Sequence, residues 1–320
     1  MNIGLDIMGG DFAPAEAIKG VLAFFEQGVE PGVHLLLIGS AEASAPYIHI
    51  LDPYKQHFTF VEAPEVIGMH EHPTKALKEK PNSSIAVGMG LLQRQKADAF
   101  IGAGNTGAML VGTMYTVKTI EGILRPPVIS PIPRSDGNFN LLLDVGLNAD
   151  CKPENLVQFA HLGSLYVKHV YGVQNPRVGL LNIGEEEGKG NLLAQATFPL
   201  LKENKDLNFI GNVEGRDLLI DKAEVIVCEG FVGNVAMKML ESIYTIFKEE
   251  RNVQDEFLNH FDYEIYGGTP ILGVNSPVII GHGISHATAF KNMIISAQRI
   301  ISSDLINAFK RHFAVTDPIA

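Results

Sequence analysis

ADAFIGAGNTGAMLVGTMY, residues 97–115, is the segment in which the fold is first apparent. Its opening run, 97–101, has the apolar character of a buried strand, and the residues after Gly107 have the composition of a helix. Gly102, Gly104 and Gly107 lie at the junction. A glycine-rich turn between a strand and a helix directs free backbone N–H groups and the positive end of the helix towards one point. The segment therefore predicts an anion-binding turn in an α/β fold.

The spacing of these glycines also matches the dinucleotide-binding pattern G-x-G-x-x-G, which would indicate a nicotinamide enzyme. That pattern is normally followed about 20 residues later by an acidic residue closing the second strand. Here Glu121 precedes the next predicted strand, and Arg134 follows it. We therefore predict that the turn binds a smaller anion such as phosphate, with a tight turn that binds nothing as the alternative. The phosphate-binding candidates are Gly104, Asn105, Thr106 and Gly107.

The amino-acid composition limits which cellular compartment and which classes of binding partner are expected. The chain has 320 residues, of which 46% are hydrophobic, which is enough for a large core. Its net charge of −11 argues against general nucleic-acid binding. No apolar run reaches the roughly 18 residues of a transmembrane helix, and no signal-peptide pattern opens the chain. Cys151 and Cys228 are the only cysteines and form no metal or redox motif, so we expect a cytoplasmic protein without a metal site.

Apolar runs alternate with helical patterns along the chain. Predicted strands occupy 2–7, 33–39, 97–101, 126–131, 140–145, 177–183, 207–211 and 224–228. Predicted helices occupy 14–27, 83–95, 107–120, 153–170, 189–203, 232–250 and 285–311. This alternation indicates a doubly wound α/β fold, with a mainly parallel sheet and helices on both faces. No linker divides residues 1–320, which we predict to be a single domain; residues 62–82 have the composition of a flap, and residues 250–277 that of an excursion.

Functional residues are expected after the carboxyl ends of the strands, where α/β sheets bind ligands. Asp6 and Asp11 flank paired glycines after the first strand, although Asp11 could instead cap the helix that begins at Pro14. Asp144 ends a hydrophobic strand, and a carboxylate is costly to bury without partners, which favours a role in a site. His282 lies between two glycines and is suited either to proton transfer near neutral pH or to a structural hydrogen bond.

A second polar loop, NIGEEEGKGN at residues 182–191, leads from a predicted strand into a helix. Lys189 lies between two glycines and can approach a ligand closely, and Asn191 can donate two hydrogen bonds. The alternative is a loop in which half-buried Lys189 forms ion pairs with the three neighbouring glutamates.

In combination, these motifs resemble those of one family. They occupy, in chain order, residues 6–14, 102–108, 125–126, 143–146, 184–191, 211–215 and 230–235. Over nearly its whole length the chain resembles the bacterial phosphate acyltransferases of phospholipid synthesis. The resemblance implies a fold shared with phosphate acetyltransferases and with isocitrate and isopropylmalate dehydrogenases. It also implies transfer of an acyl group from acyl carrier protein to inorganic phosphate, with no cofactor.

The resemblance further implies partners and a location. Family members are homodimers in which residues corresponding to 236–277 project near the interface, and some contact the inner face of the membrane. The acyl phosphate would pass to a membrane glycerol-3-phosphate acyltransferase. An apolar stripe at helical spacing is predicted at the dimer interface, with packing against the chain's own core as the alternative. It comprises Ala236, Met239, Leu240, Ile243 and Phe247.

The implied reaction suits the residues, because phosphate is itself the nucleophile and no serine or cysteine nucleophile is needed. Lys189 would neutralise charge, and Asn191, Asn234 or His282 would stabilise the oxyanion, with Asp144 as a further catalytic candidate. The candidates for substrate binding are Asp6, Asp11, Asn148 and Asn234. Acyl carrier protein is acidic, so its docking needs a local basic patch, which we predict around one helix. The patch comprises Lys75, Lys78, Lys80, Arg94 and Lys96.

Three alternatives keep the same fold. A phosphate acetyl- or butyryltransferase would use coenzyme A as the thiol carrier. A decarboxylating dehydrogenase would need a nicotinamide site, against which the missing ribose carboxylate argues. A non-catalytic regulator remains open, because a fold alone does not imply a function.

Overall fold

The structure is a computed structural model that describes residues 1–28 and 30–314; residues 29 and 315–320 of the predicted domain lie outside the described residues. The strands are β1 (Asn2–Asp6), β2 (His34–Gly39), β3 (Phe58–Glu62), β4 (Ala99–Gly102), β5 (Ile129–Pro133), β6 (Phe139–Leu143), β7 (Arg177–Asn182), β8 (Asn208–Glu214), β9 (Val225–Val227), β10 (Thr269–Ile271) and β11 (Val278–Ile280). The helices are α1 (Ala15–Glu26), α2 (Ala41–Ile48), α3 (Pro73–Glu79), α4 (Ser84–Gln93), α5 (Thr106–Gly112), α6 (Pro153–Tyr171), α7 (Leu192–Glu203), α8 (Gly230–Tyr244), α9 (Ala287–Ser302) and α10 (Leu305–Phe313).

The chain divides into two compact units, where the sequence predicted a single domain. Unit 1 comprises Met1–Lys118, Tyr263–Pro270 and Val274–Ser302. Unit 2 comprises Thr119–Asp262, Ile271–Gly273 and the described residues from Ser303 onward. Each unit has its own sheet, so the predicted mainly parallel α/β architecture is confirmed in each.

Unit 1 is built on the sheet with strand order β10-β11-β4-β1-β2-β3. The pairs from β11 through β3 are parallel. β1 and β4 lie in its centre and are almost wholly buried, which explains their continuous apolar sequence. Helix α1 packs closely on α9 at Gly20. A Cβ added at this position would lie only 2.5 Å from Cβ of Phe290, so only glycine fits there.

Unit 2 is built on the sheet with strand order β5-β6-β9-β7-β8. β5 runs antiparallel to β6, and the remaining pairs are parallel. Helix α6 supplies Phe159, Leu162 and Tyr166 to the core of this unit. An added Cβ at Gly163 would lie 2.7 Å from Val225, so the helix packs directly on β9.

Several elements differ from the sequence prediction. The predicted helix 285–311 is two helices, α9 and α10, because Asp304 adopts a positive φ of 56° between them. The predicted flap, residues 62–82, contains helix α3. α8 continues into a π-helical turn at Thr245–Glu250, and the predicted excursion, residues 250–277, contains 3-10 turns at Phe257–Phe261 and Tyr263–Ile265. Among the described residues, no helix is both long enough and apolar enough to cross a membrane.

Candidate active site

The glycine-rich turn and two other predicted site segments meet at one edge of the unit 1 sheet. Parallel pairing aligns Asp6 with Gly102, and Gly102 with Ile280. The ends of β1, β4 and β11 therefore coincide, and the segments carrying Asp6, the turn 102–107 and His282 follow at the same edge. This is the arrangement that the sequence predicted from strand ends.

Asp6 is buried at this edge with an incomplete set of partners. Its side chain is 1% exposed, and Oδ1 accepts a hydrogen bond from the N–H of Met8 at 2.9 Å. Oδ2 has no hydrogen-bond partner among the described residues. Burial raises the pKa of Asp6 to about 6, while the Ser84 hydroxyl and the N–H groups of Met8 and Gly9 act in the opposite direction. The sequence had predicted Asp6 only as a substrate-binding candidate.

The turn 102–107 packs tightly against the loop that follows Asp6. An added Cβ at Gly9 would lie 2.4 Å from the amide nitrogen of Gly104, and one at Gly104 would lie 3.1 Å from Oδ2 of Asp6. A side chain at Gly9 would therefore push the two loops apart, whereas one at Gly104 would press on the side chains of Asp6 and Ile85. The glycines serve close approach of two backbones, in addition to whatever ligand the turn binds.

The side chain of Asn105 makes structural hydrogen bonds that the sequence did not indicate. Its Oδ1 caps helix α5 by accepting from the N–H of Ala108 at 2.9 Å. Its Nδ2 donates to the carbonyls of Gly68, Met69 and Glu71 at 2.9, 3.2 and 3.0 Å. Since these bonds occupy the side chain, an anion at this turn would be bound by backbone N–H groups, which the first turn of a helix leaves without intrahelical partners. Thr106 is exposed at this turn.

Asp11 and His282 lie on neighbouring loops of unit 1. The N–H of Asp11 donates to the carbonyl of Gly283 at 2.7 Å, and the Asp11 side chain is exposed. The alternative role of Asp11 as a helix cap is wrong, because Pro14 is the N-cap of α1 and no side chain caps that helix. The half-buried ring of His282 contacts the ring of Tyr263 in a tilted arrangement, with a centroid distance of 4.5 Å. No contact of either residue decides between binding and catalysis, so both roles stay predictions.

In unit 2, Asp144 is the centre of a saturated hydrogen-bond network. The side chain is 0% exposed. Its Oδ1 accepts from the N–H groups of Val128, Gly146 and Leu147 at 2.9, 3.3 and 3.3 Å. Its Oδ2 accepts from the N–H of Asn148 at 2.6 Å and from Asn148 Nδ2 at 3.0 Å. Both oxygens are used and neither faces solvent, so Asp144 holds the loop in shape. Its predicted catalytic role stays a prediction.

Asn148 and Asn234 belong to the same network. Asn148 Nδ2 also donates to the carbonyl of Pro126 at 2.8 Å, and Asn234 Nδ2 donates to the carbonyl of Val145 at 3.1 Å. An added Cβ at Gly233 would lie 1.9 Å from the carbonyl oxygen of Asp144, so α8 begins in direct contact with this loop. The two asparagine side chains support the loop through these bonds, and their predicted substrate contacts stay predictions.

Lys189 differs from what the sequence suggested. It is exposed rather than half-buried, and it forms no ion pair within the described part of the chain. Two of the three neighbouring glutamates have other partners: Glu185 pairs with Lys222 at 2.5 Å, and Glu187 pairs with Lys202. The structural alternative, in which Lys189 pairs with these glutamates, is therefore wrong. The loop presents one unpaired ammonium group between two glycines.

Asn191 is the N-cap of α7, where its Oδ1 accepts from the N–H of Ala194 at 2.9 Å. Its Nδ2 makes no hydrogen bond within residues 1–28 and 30–314, so it can still donate to a ligand. Of the predicted oxyanion donors, Asn191 is thus exposed and has an amide nitrogen to spare.

An apolar cavity of about 580 Å³ lies beside Asn191 and was not predicted. It is bounded by the ends of β7 and β9 and by the first turns of α7 and α8. Glu229 is a polar residue of its wall; its carboxylate caps α8 at Val232, and burial, together with Asp144 and Asp150, raises its pKa. Residues of the wall come from between 156 and 236, so no local pattern could have indicated the cavity.

The predicted basic patch is only partly present. Lys75 and Lys80 belong to the α3 region, whereas Arg94 and Lys96 follow α4, so the five residues do not surround one helix. Lys80 pairs with Glu71 at 2.5 Å, and Lys75 pairs with Glu79 at 3.9 Å. These carboxylates reduce the positive charge that the sequence suggested.

Comparison with known proteins identifies the family. A family model described as "Fatty acid synthesis protein" matches residues 1–308. Phosphate acyltransferases from Dictyoglomus thermophilum and Halothermothrix orenii are 42% and 41% identical to the chain. The first alignment covers 95% of each protein, and the second covers 97% of this chain and 98% of the relative.

A crystal structure of a phosphotransacetylase from Streptococcus pyogenes has the same fold, with a TM-score of 0.65 at 16% identity over 94% of each chain. The resemblance stated from the motifs is thereby confirmed. The chain belongs to the phosphate acyltransferase family.

Proposed function

We propose that this chain transfers the acyl group of an acyl-acyl-carrier-protein thioester to inorganic phosphate. As a member of its family it is an acyltransferase of fatty acid and phospholipid synthesis. The observation that carries the finer proposal is the glycine turn at the end of β4, which combines open backbone N–H groups with full-length similarity to phosphate acyltransferases.

The chemistry proceeds without a protein nucleophile. A phosphate oxygen attacks the carbonyl carbon of the thioester, a carbon–oxygen bond forms, and the carbon–sulfur bond breaks. The carrier leaves as a thiolate, whose conjugate acid has a pKa of about 8.5, so little acid catalysis is needed. The cysteines are unsuited to a covalent step, because burial raises the pKa of Cys151 to about 11 and also raises the pKa of Cys228 well above its ordinary value.

The residues divide into two groups under this proposal. In unit 1, backbone N–H groups of the turn 104–107 hold phosphate. In unit 2, considered by itself, Lys189 is the candidate for charge neutralisation and Asn191 the candidate donor to an oxyanion. Donors of this kind typically contribute about 3–4 kcal/mol each to the transition state. Asp144, with Asn148 and Asn234, positions the loop on which α8 begins.

Direct product detection tests the proposal. The protein is incubated with hexadecanoyl-acyl-carrier-protein, with and without inorganic phosphate, and acyl phosphate is trapped with hydroxylamine. We expect product only when phosphate is present. Product formation from acyl-coenzyme A but not from the carrier-protein thioester would favour the phosphate acetyl- or butyryltransferase alternative. Release of free carrier thiol without acyl phosphate would contradict the proposal.

We further propose a homodimer, with α8 at or near the interface. Beyond Gly233 no residue of α8 is buried, and Met239 is 71% exposed, so the stripe does not pack into the core of its own chain. Unpartnered apolar stripes of this kind usually bind another surface. Light scattering should give twice the monomer mass, and Ile243→Glu should shift it towards monomer, while Glu249→Gln should not. Monomer alone at micromolar concentration would contradict the dimer.

In the cell we place the protein in the cytoplasm, in peripheral contact with the inner face of the membrane. There the acyl phosphate would pass to a membrane glycerol-3-phosphate acyltransferase. Vesicle sedimentation with anionic lipids tests the contact directly.

A further inference from the structure

The cavity in unit 2 has the size of a small-molecule site and an apolar wall. Its volume of about 580 Å³ falls within the range of about 300–1,000 Å³ that is typical of ligand pockets. Apolar side chains of leucine, isoleucine, valine, alanine and phenylalanine form most of the wall, including Leu180 on β7 and Leu193 on α7. A filled core would leave no such space, since protein interiors are close-packed.

The residues at the cavity are also unusually exposed for their type. Ile183 is 82% exposed, Phe231 is 65% exposed and Val235 is 53% exposed, and all three contribute to its lining. Large apolar side chains grouped around one opening indicate a surface that is covered when a ligand binds.

The polar groups of the wall restrict the occupant. Both polar atoms of the Asn182 side chain are used: Nδ2 donates to the carbonyl of Lys189 at 3.1 Å, and Oδ1 accepts from the N–H of Ile183 at 2.8 Å. Glu229 is used as a helix cap. The wall contains no lysine or arginine, so it offers no cationic side chain to pair with a phosphate or a nucleotide. What it can accept is a neutral, flexible, apolar chain.

We infer that this cavity holds the acyl chain of the thioester, with the carbonyl end at Asn191. Asn191 lines the cavity and keeps a free Nδ2, and Lys189 is separated from it by one glycine. The cavity is thus the element that sets chain-length preference. This inference rests on the proposed function, because it takes the thioester as the ligand.

Ala194 and Val235 are the positions at which chain length can be changed. Ala194 lies on α7 and is 8% exposed, so a larger residue there would reduce the space inside the cavity. Val235 lies on α8 and is exposed, so Val235→Trp can narrow the opening without a burden on folding. Ala196 on the same helix as Ala194 is exposed and does not line the cavity, which makes Ala196→Leu a matched control for Ala194→Leu.

The first experiment measures kcat/KM for butyryl, octanoyl, dodecanoyl and hexadecanoyl carrier-protein thioesters. In the wild type we expect preference for longer chains, by up to about fourfold per methylene, which corresponds to about 0.8 kcal/mol. Ala194→Leu and Val235→Trp should each lose at least tenfold more with the hexadecanoyl than with the butyryl substrate. Ala196→Leu should keep the wild-type ratio. Equal loss at all lengths in both cavity variants would overturn the inference.

The second experiment needs no turnover. Binding of cis-parinaric acid, a long fluorescent fatty acid, should be saturable in the wild type and at least tenfold weaker in both cavity variants, but unchanged in Ala196→Leu. If cis-parinaric acid binds in this pattern but the protein forms no acyl phosphate, the cavity is a site for an apolar chain and the proposed reaction is refuted. Unchanged binding in all variants would refute the site. A change of assembly state by Val235→Trp in light scattering, with normal chain-length preference, would show instead that a second copy of the chain covers the opening.

Discussion

Asp6 and Asp144 both lie at the carboxyl end of an internal strand, one in each sheet, yet their surroundings differ. The two residues are 1% and 0% exposed. Asp144 accepts five hydrogen bonds, two of them from one asparagine, whereas Oδ2 of Asp6 has no partner among the described residues. The loop after Asp144 supplies donors to both oxygens of its carboxylate, whereas the glycine-rich loop after Asp6 supplies the N–H of Met8 to Oδ1 and leaves Oδ2 without a partner among the described residues. One carboxylate is thus part of the scaffold, and the other retains an unused acceptor beside the proposed phosphate turn.

The largest effect should follow from removing the saturated carboxylate. Asp144→Ala leaves several buried N–H groups without an acceptor, and each such group costs about 1–3 kcal/mol. We expect the free energy of unfolding to fall by about 4 kcal/mol, measured by urea denaturation. Asp150→Ala, an exposed carboxylate on the same loop, should change it by less than about 0.5 kcal/mol. A stable Asp144→Ala protein that has lost only activity would instead support the catalytic role first predicted.

Filling the space beside Asp6 should affect turnover more than stability. Gly104→Val places a side chain about 3 Å from Asp6 Oδ2 and from Ile85, in the turn proposed to bind phosphate. We expect at least a hundredfold rise in the KM for phosphate, or loss of turnover, with folded circular dichroism spectra. Gly90→Val on α4 is the control, since an added Cβ there would meet only the flexible end of Arg94. An unaltered phosphate dependence in Gly104→Val would place the phosphate elsewhere.

Two lysines of unit 2 sharpen the distinction between scaffold and site. Lys189→Met should reduce kcat about a hundredfold, because one transition-state donor contributes about 3 kcal/mol, with little change in melting temperature. Lys222 pairs with Glu185 and Asp217 at 2.5 and 2.8 Å, so Lys222→Met should lower the melting temperature and leave kcat nearly intact. If the two variants show the reverse pattern, Lys189 is a structural residue.

The smallest effect concerns pH and only Asp6. Its pKa is raised from 3.8 to about 6, so between these values the folded chain holds a proton that the unfolded chain has released. Raising the pH from 4 to 7 should therefore lower the wild-type free energy of unfolding by up to about 3 kcal/mol through this group. Asp6→Asn lacks this contribution. Burial lowers the pKa of His161 to about 4, which acts in the opposite direction over this range.

Because both proteins retain His161, its contribution cancels in the difference between wild type and Asp6→Asn. That difference, followed by urea denaturation at several pH values, should change with pH through the range 4–6. A difference that is independent of pH would show that the Asp6 carboxyl has an ordinary pKa. The unpartnered Oδ2 of Asp6 would then be the whole difference between Asp6 and Asp144.

The sequence predicted what local patterns can carry. Apolar runs located the central strands, and the strand-end rule led to Asp6, Asp144 and the 182–191 loop. Short elements were not predicted. Helix α2 contains Pro46 and the 3-10 turn after it contains Pro53, and proline is typical of loops. The saturation of Asp144 depends on the N–H of Val128, 16 residues away, and the cavity on segments still further apart. Such properties arise only when distant segments pack together.

Unit 1 is built from three separate segments of the chain, so the ribosome synthesises its parts at different times. The N–H of Ala287 at the start of α9 donates to Glu16 on α1, across 271 positions of sequence. At translation rates of about 5–20 residues per second, α1 waits on the order of tens of seconds for the helix that covers it. The continuous segment 119–262 emerges in full during that interval. The ribosome therefore delivers the longest segment of unit 2 before α9 can cover α1, and the apolar face of α1 stays uncovered by α9 throughout that interval.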